Sequence, residues 1–592
     1  MKFATIVSVI FLILAKDTGA QTDGKGWTWW DPAANAFPVL EGQAWPKEVG
    51  SPYDRFPARA SQTLNPNVWN LSHSSAGLYC KFRTDASEIV VRYTVQGKGS
   101  FAMSHMPATG VSGVDLYSLD HDGKWGWAPG TFSFGDTIEY HFSGLGTDTV
   151  FAGRDCELRL FLPLYNTVTW MQIGVPAGRH FAALPLQPEK PIVVYGTSIA
   201  QGACASRPGL AWTAILERQL DRPLINLGFS GSGKLEKSVI DLMNEIDAKL
   251  YVLDCLPNLS SGFSGAEVEG RIREAVRLLQ EKHPSVPILL VAHSGGNTGH
   301  FIDTARRHEF QRVNGVLEAT FARMRAEGVR NIYLLSGKDI GLDINSTVDG
   351  VHPNDIGMEQ YAAAYERSIR AILYEPEGMY ATTRPATQSR DGYYDWRGRH
   401  AEILSLNRNA PPANIILANS IIHYWGGEPK APIARGEDSW NAYLQPLGVR
   451  NLGFGWDKIE NVLWRVYHDE LDGYKARHIL VMIGTNNLSS DGDEAIIAGL
   501  DMLVKAIRQR QPGAALLLSG LLPRRAMEQR VVVLNKAIAR LAGKQGLTYI
   551  DPGKILLTPE GKIDESLFGD GLHPNASGYR RLAAELAPFL KN

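Results

Sequence analysis

A hexapeptide, Asp-Gly-Val-His-Pro-Asn at 349–354, returns as Asp-Gly-Leu-His-Pro-Asn at 570–575, and each copy has a Ser-Ile pair far upstream, at Ser198 and Ser420. The serines are 222 positions apart and the histidines, His352 and His573, are 221 apart. A whole unit, a serine followed at long range by Asp-x-x-His, is therefore present twice, and any fold for this chain has to contain the same domain two times. Length agrees, because 592 residues exceed what one hydrophobic core organises and imply three or four domains.

The texture of the chain changes along its length. From 21 to 185, short alternating segments such as 88–93, 136–142 and 157–162 are separated by Gly, Asp and Asn turns, the pattern of a β-sandwich. This region carries Trp27, Trp29, Trp30, Trp45, Trp69, Trp125, Trp127 and Trp170. Aromatic faces are platforms for sugar rings, although most tryptophans of a sandwich are expected in its core. From Pro191 onward, continuous apolar runs at 192–195, 250–253, 288–292 and 332–335 alternate with helical periodicity at 267–283, 304–325 and 358–373. Buried parallel strands covered by helices on both faces give that pattern, a three-layer α/β domain. Residues 376–395 lack periodicity and read as a linker. A second α/β unit follows, with strands at 414–417, 479–483, 515–519 and 547–550 and helices at 396–406, 495–510 and 531–542. The expected organisation is a β-sandwich at 21–185, an α/β domain at 186–375, the linker, and a second α/β domain with a parallel sheet at 396–592.

Met1-Lys2, the apolar run 4–15 and the small residues Thr18-Gly19-Ala20 fit a secretory signal, residues 1–20, cut before Gln21. Export to the periplasm or the exterior is expected. No other segment approaches the roughly 20 apolar residues of a membrane span, so stable membrane insertion is not expected. Acidic and basic residues nearly cancel, for a formal net charge of −2, and neither sign forms a block; a grip on nucleic acid is excluded on that ground. Cys80, Cys156, Cys204 and Cys255 allow three pairings, or remain buried thiols; Cys204 and Cys255 flank candidate site residues and could approach each other. Oligomeric state is left open.

A serine hydroxyl is a weak nucleophile, and acyl transfer requires a base beside it, usually an imidazole oriented by a carboxylate. Ser198, His352 and Asp349 supply that set, and Ser420, His573 and Asp570 supply it again. Each serine ends a strand and begins a helix, where an open α/β sheet exposes side chains. No Cys-x-x-Cys or His-Glu-x-x-His occurs, and His293, His300, His400 and His423 have no partner at metal-ligand spacing. Gly228–Gly233 lacks the Lys-Ser/Thr of a phosphate loop. Neither metal nor cofactor is expected.

These blocks resemble the SGNH (GDSL-type) hydrolase family, over roughly two-thirds of the chain. Gly-Thr-Ser-Ile matches its serine block, Asn226-Leu-Gly-Phe-Ser-Gly231 its glycine block and Leu253-Asp-Cys-Leu-Pro-Asn258 its asparagine block. The resemblance implies an oxyanion held by the Ser198 and Gly231 N–H groups and the Asn258 amide. Thr197 stands where the family has aspartate. Gly113-Val-Asp-Leu-Tyr117 resembles the Gly-x-Asp-Leu-Tyr signature of a β-domain joined to such esterases. The second unit resembles the brain platelet-activating-factor acetylhydrolase type through 451–457 (NLGFGWD), 462–465 (VLWR), 483–487 (IGTNN) and 521–524 (LLPR). Asn486 then takes the oxyanion amide role, and either Gly455 or Trp456 the backbone donor role. Asn419 replaces the family's aspartate and Trp456 a glycine. The implied function is an exported esterase removing acyl groups, acetyl foremost, from an acylated carbohydrate. The alternatives are a lipid or thioester hydrolase, or a glycan-binding protein with one inactive hydrolase domain.

Overall fold

The computed structural model describes residues 21–22, 26–97, 99–120, 123–146, 156–295, 302–389 and 393–591; the expected signal segment and His300 lie outside them. The chain divides into two compact units. The first holds two antiparallel sheets followed by a parallel sheet, and the second is built on another parallel sheet, with Gln187–Lys190 and Leu119–Trp125 counted in it.

One antiparallel sheet orders Gln21–Thr22, Trp27–Trp30, Val168–Pro176, Glu88–Val95, Ile138–Ser143 and Gly130–Ser133. The other orders Phe181–Ala183, Tyr79–Thr84, Cys156–Phe161, Asp115–Leu119 and Trp125–Ala128, with Leu40–Glu41 paired to Tyr79–Thr84. Alternate residues of both, among them Phe82, Val91, Leu116, Leu160 and Ile173, meet in one core, as period-two patterning requires. Of the tryptophans, Trp29, Trp30 and Trp45 are buried, whereas Trp127 and Trp170 are 50% and 37% exposed.

The two parallel sheets share one topology. In the first unit the strands are β1 (Ile192–Gly196), β2 (Leu224–Gly228), β3 (Leu250–Asp254), β4 (Ile288–Val291) and β5 (Ile332–Leu335), in the order β2-β1-β3-β4-β5. In the second they are β6 (Asn414–Ala418), β7 (Val449–Gly453), β8 (His478–Met482), β9 (Ala515–Ser519) and β10 (Thr548–Ile550), in the order β7-β6-β8-β9-β10. All five residues of β1 and of β6 are buried, since helices cover both faces. The chain leaves β1 to one side and returns to the other, and such a switch point opens a crevice at the carboxyl ends of the strands. Ser198 and Ser420 each lie two residues past the end of these two strands. Among the described residues, no helix is long and apolar enough to cross a membrane.

Packing crosses the expected border at 185. Trp45, Phe56, Ala60, Leu64 and Val68 belong to the core of the first parallel sheet, beside Leu227, Phe229 and Met243. The fully buried Arg55 donates to the carbonyls of Asn226 (3.1 Å) and Gly228 (2.8 Å). From the sandwich, buried Arg159 pairs with Glu217 and with Asp221 (2.6 Å), and Tyr79 donates to Glu217 (2.7 Å). The segment around 45–68 carries no strand alternation because it serves as a layer over the hydrolase sheet. In the second unit the segment 376–389 has little regular structure, yet Thr382 donates to the Ala495 carbonyl (2.6 Å) and Gln388 to that of Gly455 (2.8 Å), so it is fastened along its length. All four cysteines are free thiols, and Cys204 and Cys255, the pair that flanks the first serine and Asn258, are both buried without a bridge.

Candidate active sites

Each serine is placed by the same local device. After β1, Thr197 is extended and its Oγ1 caps the short helix Ser198–Gln201 through the Ile199 N–H (3.4 Å). After β6, Asn419 does the same with its Oδ1 and the Ile421 N–H (3.0 Å). Threonine and asparagine are good N-caps, which explains why neither needs to be the aspartate expected there. The serine helices come very close to the neighbouring strands: a Cβ on Gly228 would lie 2.3 Å from the Gln201 nitrogen, and one on Gly453 2.4 Å from the His423 nitrogen.

The groups that the sequence pairs are brought together. Ser198 Oγ lies 2.8 Å from His352 Nε2, and His352 Nδ1 lies 2.7 Å from Asp349 Oδ2. Ser420 Oγ lies 2.9 Å from His573 Nε2, and His573 Nδ1 lies 2.8 Å from Asp570 Oδ2. Both serines are buried, at 8% and 5% exposure. Each Asp-x-x-His loop is self-bracing, because the other carboxylate oxygen accepts the backbone N–H of its own histidine and of the residue before it. Burial opposes ionisation of Asp349 and Asp570, but these hydrogen bonds and the imidazole outweigh it, leaving Asp349 below the usual carboxylate range and Asp570 at about 2. Burial lowers His573 below the ordinary histidine value, and Arg435 and Arg524 add to the effect against the pull of Asp570.

The donor loops are equivalent in form. Gly231 has φ +67° and Trp456 has φ +62°, and neither N–H makes a hydrogen bond among the described residues. The residue before each is anchored to the serine helix: the Ser230 N–H donates to Gln201 Oε1 (2.9 Å), and the Gly455 N–H to His423 Nδ1 (3.0 Å). That contact removes Gly455 as a free donor and leaves Trp456 in the place of Gly231. His423 accepts because burial, with Arg399 and Arg465 nearby, drops it to about 2 and keeps it neutral. Asn258 Oδ1 takes the Gly233 N–H (3.1 Å), which turns its Nδ2 outward. Asn486 Nδ2 gives one hydrogen to the Asp457 carbonyl (2.9 Å) and keeps the other.

Several site neighbours carry no sequence motif. Gln201 and His423 are found only through their shared position three residues after a serine. His105, from the sandwich, places its ring 5.8 Å from that of His352. Trp456 packs against Tyr393 at 4.4 Å, and Tyr424 lies 5.5 Å from His573. Beneath the second donor loop, Asp457 receives Arg465, Trp396 and Gln388, and burial raises it to about 6. His293 is buried against Phe310, which lowers it to about 4; His400 lies between Glu189 and Glu470, which outweigh its burial and raise it to about 9. No cluster of three or more metal-ligating side chains occurs among the described residues.

Models of the GDSL-like lipase/acylhydrolase family match residues 189–370 and 419–581, and a model of the N-terminus of SGNH hydrolase-type esterases matches residues 27–181. The platelet-activating factor acetylhydrolase IB subunit alpha2 of Rattus norvegicus is 30% identical over 168 residues, covering 27% of this chain and 72% of that protein. The alpha1 subunit of Bos taurus is 25% identical over 202 residues, 33% of this chain and 82% of that protein. A crystal structure of a GDSL-like lipase from Bacteroides ovatus superposes with TM-score 0.53 at 32% identity, over 59% of this chain and 98% of that one.

Proposed function

Because the chain belongs to the GDSL-like lipase/acylhydrolase family, we propose that it is an exported serine esterase with two working sites, one in each α/β domain, that removes acetyl groups from an acylated carbohydrate. The observation that carries this reading is the pair of continuous serine–imidazole–carboxylate chains, with every link between 2.7 and 2.9 Å. Each link of the second chain is within 0.1 Å of its counterpart in the first, which supports counting both.

The chemistry follows from the geometry. His352 Nε2 takes the proton of Ser198 as Oγ attacks the acyl carbon, and Asp349 holds the ring and stabilises the imidazolium. The negative charge that forms on the carbonyl oxygen is met by the N–H groups of Ser198 and Gly231 and by Asn258 Nδ2. Collapse expels the alcohol, which takes its proton from His352. Water, deprotonated by the same imidazole, then frees the acid. Ser420, His573, Asp570, Trp456 and Asn486 repeat these roles, with Gly455 excluded because its N–H is already used. The acetyl group is supported by relatives named acetylhydrolases, and the carbohydrate by the exposed Trp127 and Trp170.

Acids released from a panel of acetylated and otherwise acylated polysaccharides, measured on the intact chain with and without a strong chelator, test the reading. Acetate release that the chelator leaves unchanged is expected. Release of no acid, or hydrolysis lost to chelator and restored by a divalent ion, contradicts it.

A further inference from the structure

The second site carries a positive charge at its rim. β9 and β8 are adjacent in the second sheet, and the loops after them carry Arg524 and the Thr485-Asn486 pair. Arg524 Nη1 donates to the Thr485 carbonyl (2.9 Å), which holds the guanidinium beside the Asn486 amide. It is half-buried and has no carboxylate partner among the described residues. The neighbouring Arg435 is different, since its Nη1 lies 3.4 Å from Asp570 Oδ2 and balances that carboxylate. Arg524 therefore leaves an uncompensated positive charge where β9 opens into the crevice. In the first sheet β4 runs directly into Ala292-His293-Ser294, and His293 is buried against Phe310.

The side of the crevice matters. The His-bearing loop follows β10, and β9 lies between β10 and β8, so Arg524 sits between the oxyanion amide Asn486 and His573. The effect of Arg524 on His573 agrees with that placement. His573 Nε2 is the atom that must return a proton to the leaving oxygen, and a cation beside it faces the alcohol half of an ester. A half-buried guanidinium with free N–H groups favours a carboxylate or phosphate, to which it donates in pairs.

Resting on the reading of Ser420 as a working nucleophile, we propose that the second site is selective for acetyl esters whose alcohol part carries an anionic group, a sugar acid or a sugar phosphate, and that Arg524 holds that group.

The test uses the full chain carrying S198A, so that only the second site acts, and three probes: an acetylated methyl glucuronoside, the methyl ester of the same compound, and an acetylated sugar phosphate. The acid is expected to exceed its neutral methyl ester by about tenfold or more in kcat/KM, through KM, with the preference falling as salt rises. The phosphate probe shows whether the anion is accepted from either source or as a carboxylate alone. R524Q on the same background brings the ratio of acid to methyl ester to within about twofold, and R524K retains most of it; the thermal midpoint of each variant checks that the fold is kept. Equal kcat/KM for acid and methyl ester in the S198A chain overturns this inference and leaves the esterase reading standing. Hydrolysis of none of the three overturns both the inference and the second site as an esterase.

Discussion

At position 456 a tryptophan adopts the left-handed turn that position 231 fills with glycine, at a cost of about 1–2 kcal/mol for a non-glycine residue. The turn survives because Gly455 is anchored to His423 on one side and Asp457 to Arg465, Trp396 and Gln388 on the other. Burial also depresses the base of the second site, His573. A base acts when neutral, and a lowered pKa keeps it neutral to lower pH. In the S198A chain, the acidic limb of kcat/KM should therefore have its midpoint below the ordinary histidine value of about 6.5; a midpoint above that value contradicts the environment described for His573. Serine, histidine and aspartate were legible in the sequence because Asp-x-x-His is a local pattern whose loop braces itself. Of His423 only its place beside the second pocket, three residues after Ser420, was legible, and of Gln201 nothing, since what they do depends on a strand and a helix meeting across a glycine.

The element that joins the sandwich to the first site is the strand Asp115–Leu119. The buried Asp115 accepts from Arg207 Nη1 (2.6 Å), the Gly209 N–H (3.0 Å) and Trp127 Nε1 (2.8 Å). Arg207 and Gly209 lie on the loop that follows the serine helix. The same loop gives the Cys204 N–H to the Pro353 carbonyl and the Ser206 N–H to Asp355 (both 2.8 Å), at the first and third residues after His352. A strand of the sandwich thus ties down a loop that touches both halves of the catalytic constellation. D115A leaves Arg207 without its carboxylate and should cost about 2–3 kcal/mol, read as a lower denaturant midpoint, together with a fall in kcat at the Ser198 site. An unchanged midpoint would show that Arg207 and Trp127 hold the loop without it. The Gly-x-Asp-Leu-Tyr signature was legible as a signature, but why it needs an aspartate was not, because two of the three partners of Asp115, Arg207 and Gly209, lie about 90 residues away.

At the scale of the molecule, the duplication was legible and the packing across residue 185 was not. Repeats are written in sequence, whereas Trp45, Phe56 and Val68 change allegiance by folding back over the first parallel sheet. Removing residues 1–185 strips these side chains from that core, at about 3–5 kcal/mol for each large aromatic, against the 5–15 kcal/mol that holds a typical domain. The truncated chain should therefore show no folded first hydrolase domain by far-UV circular dichroism and thermal melting, and a stable, active product would contradict the shared core. The central claim, two serine sites in one chain, is tested most directly by hydrolysis of a small aryl acetate and of acetylated glycans by the native chain, S198A, S420A and the double variant. The account predicts that S198A removes most aryl acetate hydrolysis, that S420A spares it and loses a distinct acylated glycan, and that the double variant falls by a factor on the order of 10⁶ on both. Substantial hydrolysis by the double variant, or an S420A chain indistinguishable from the native one on every ester, would contradict it.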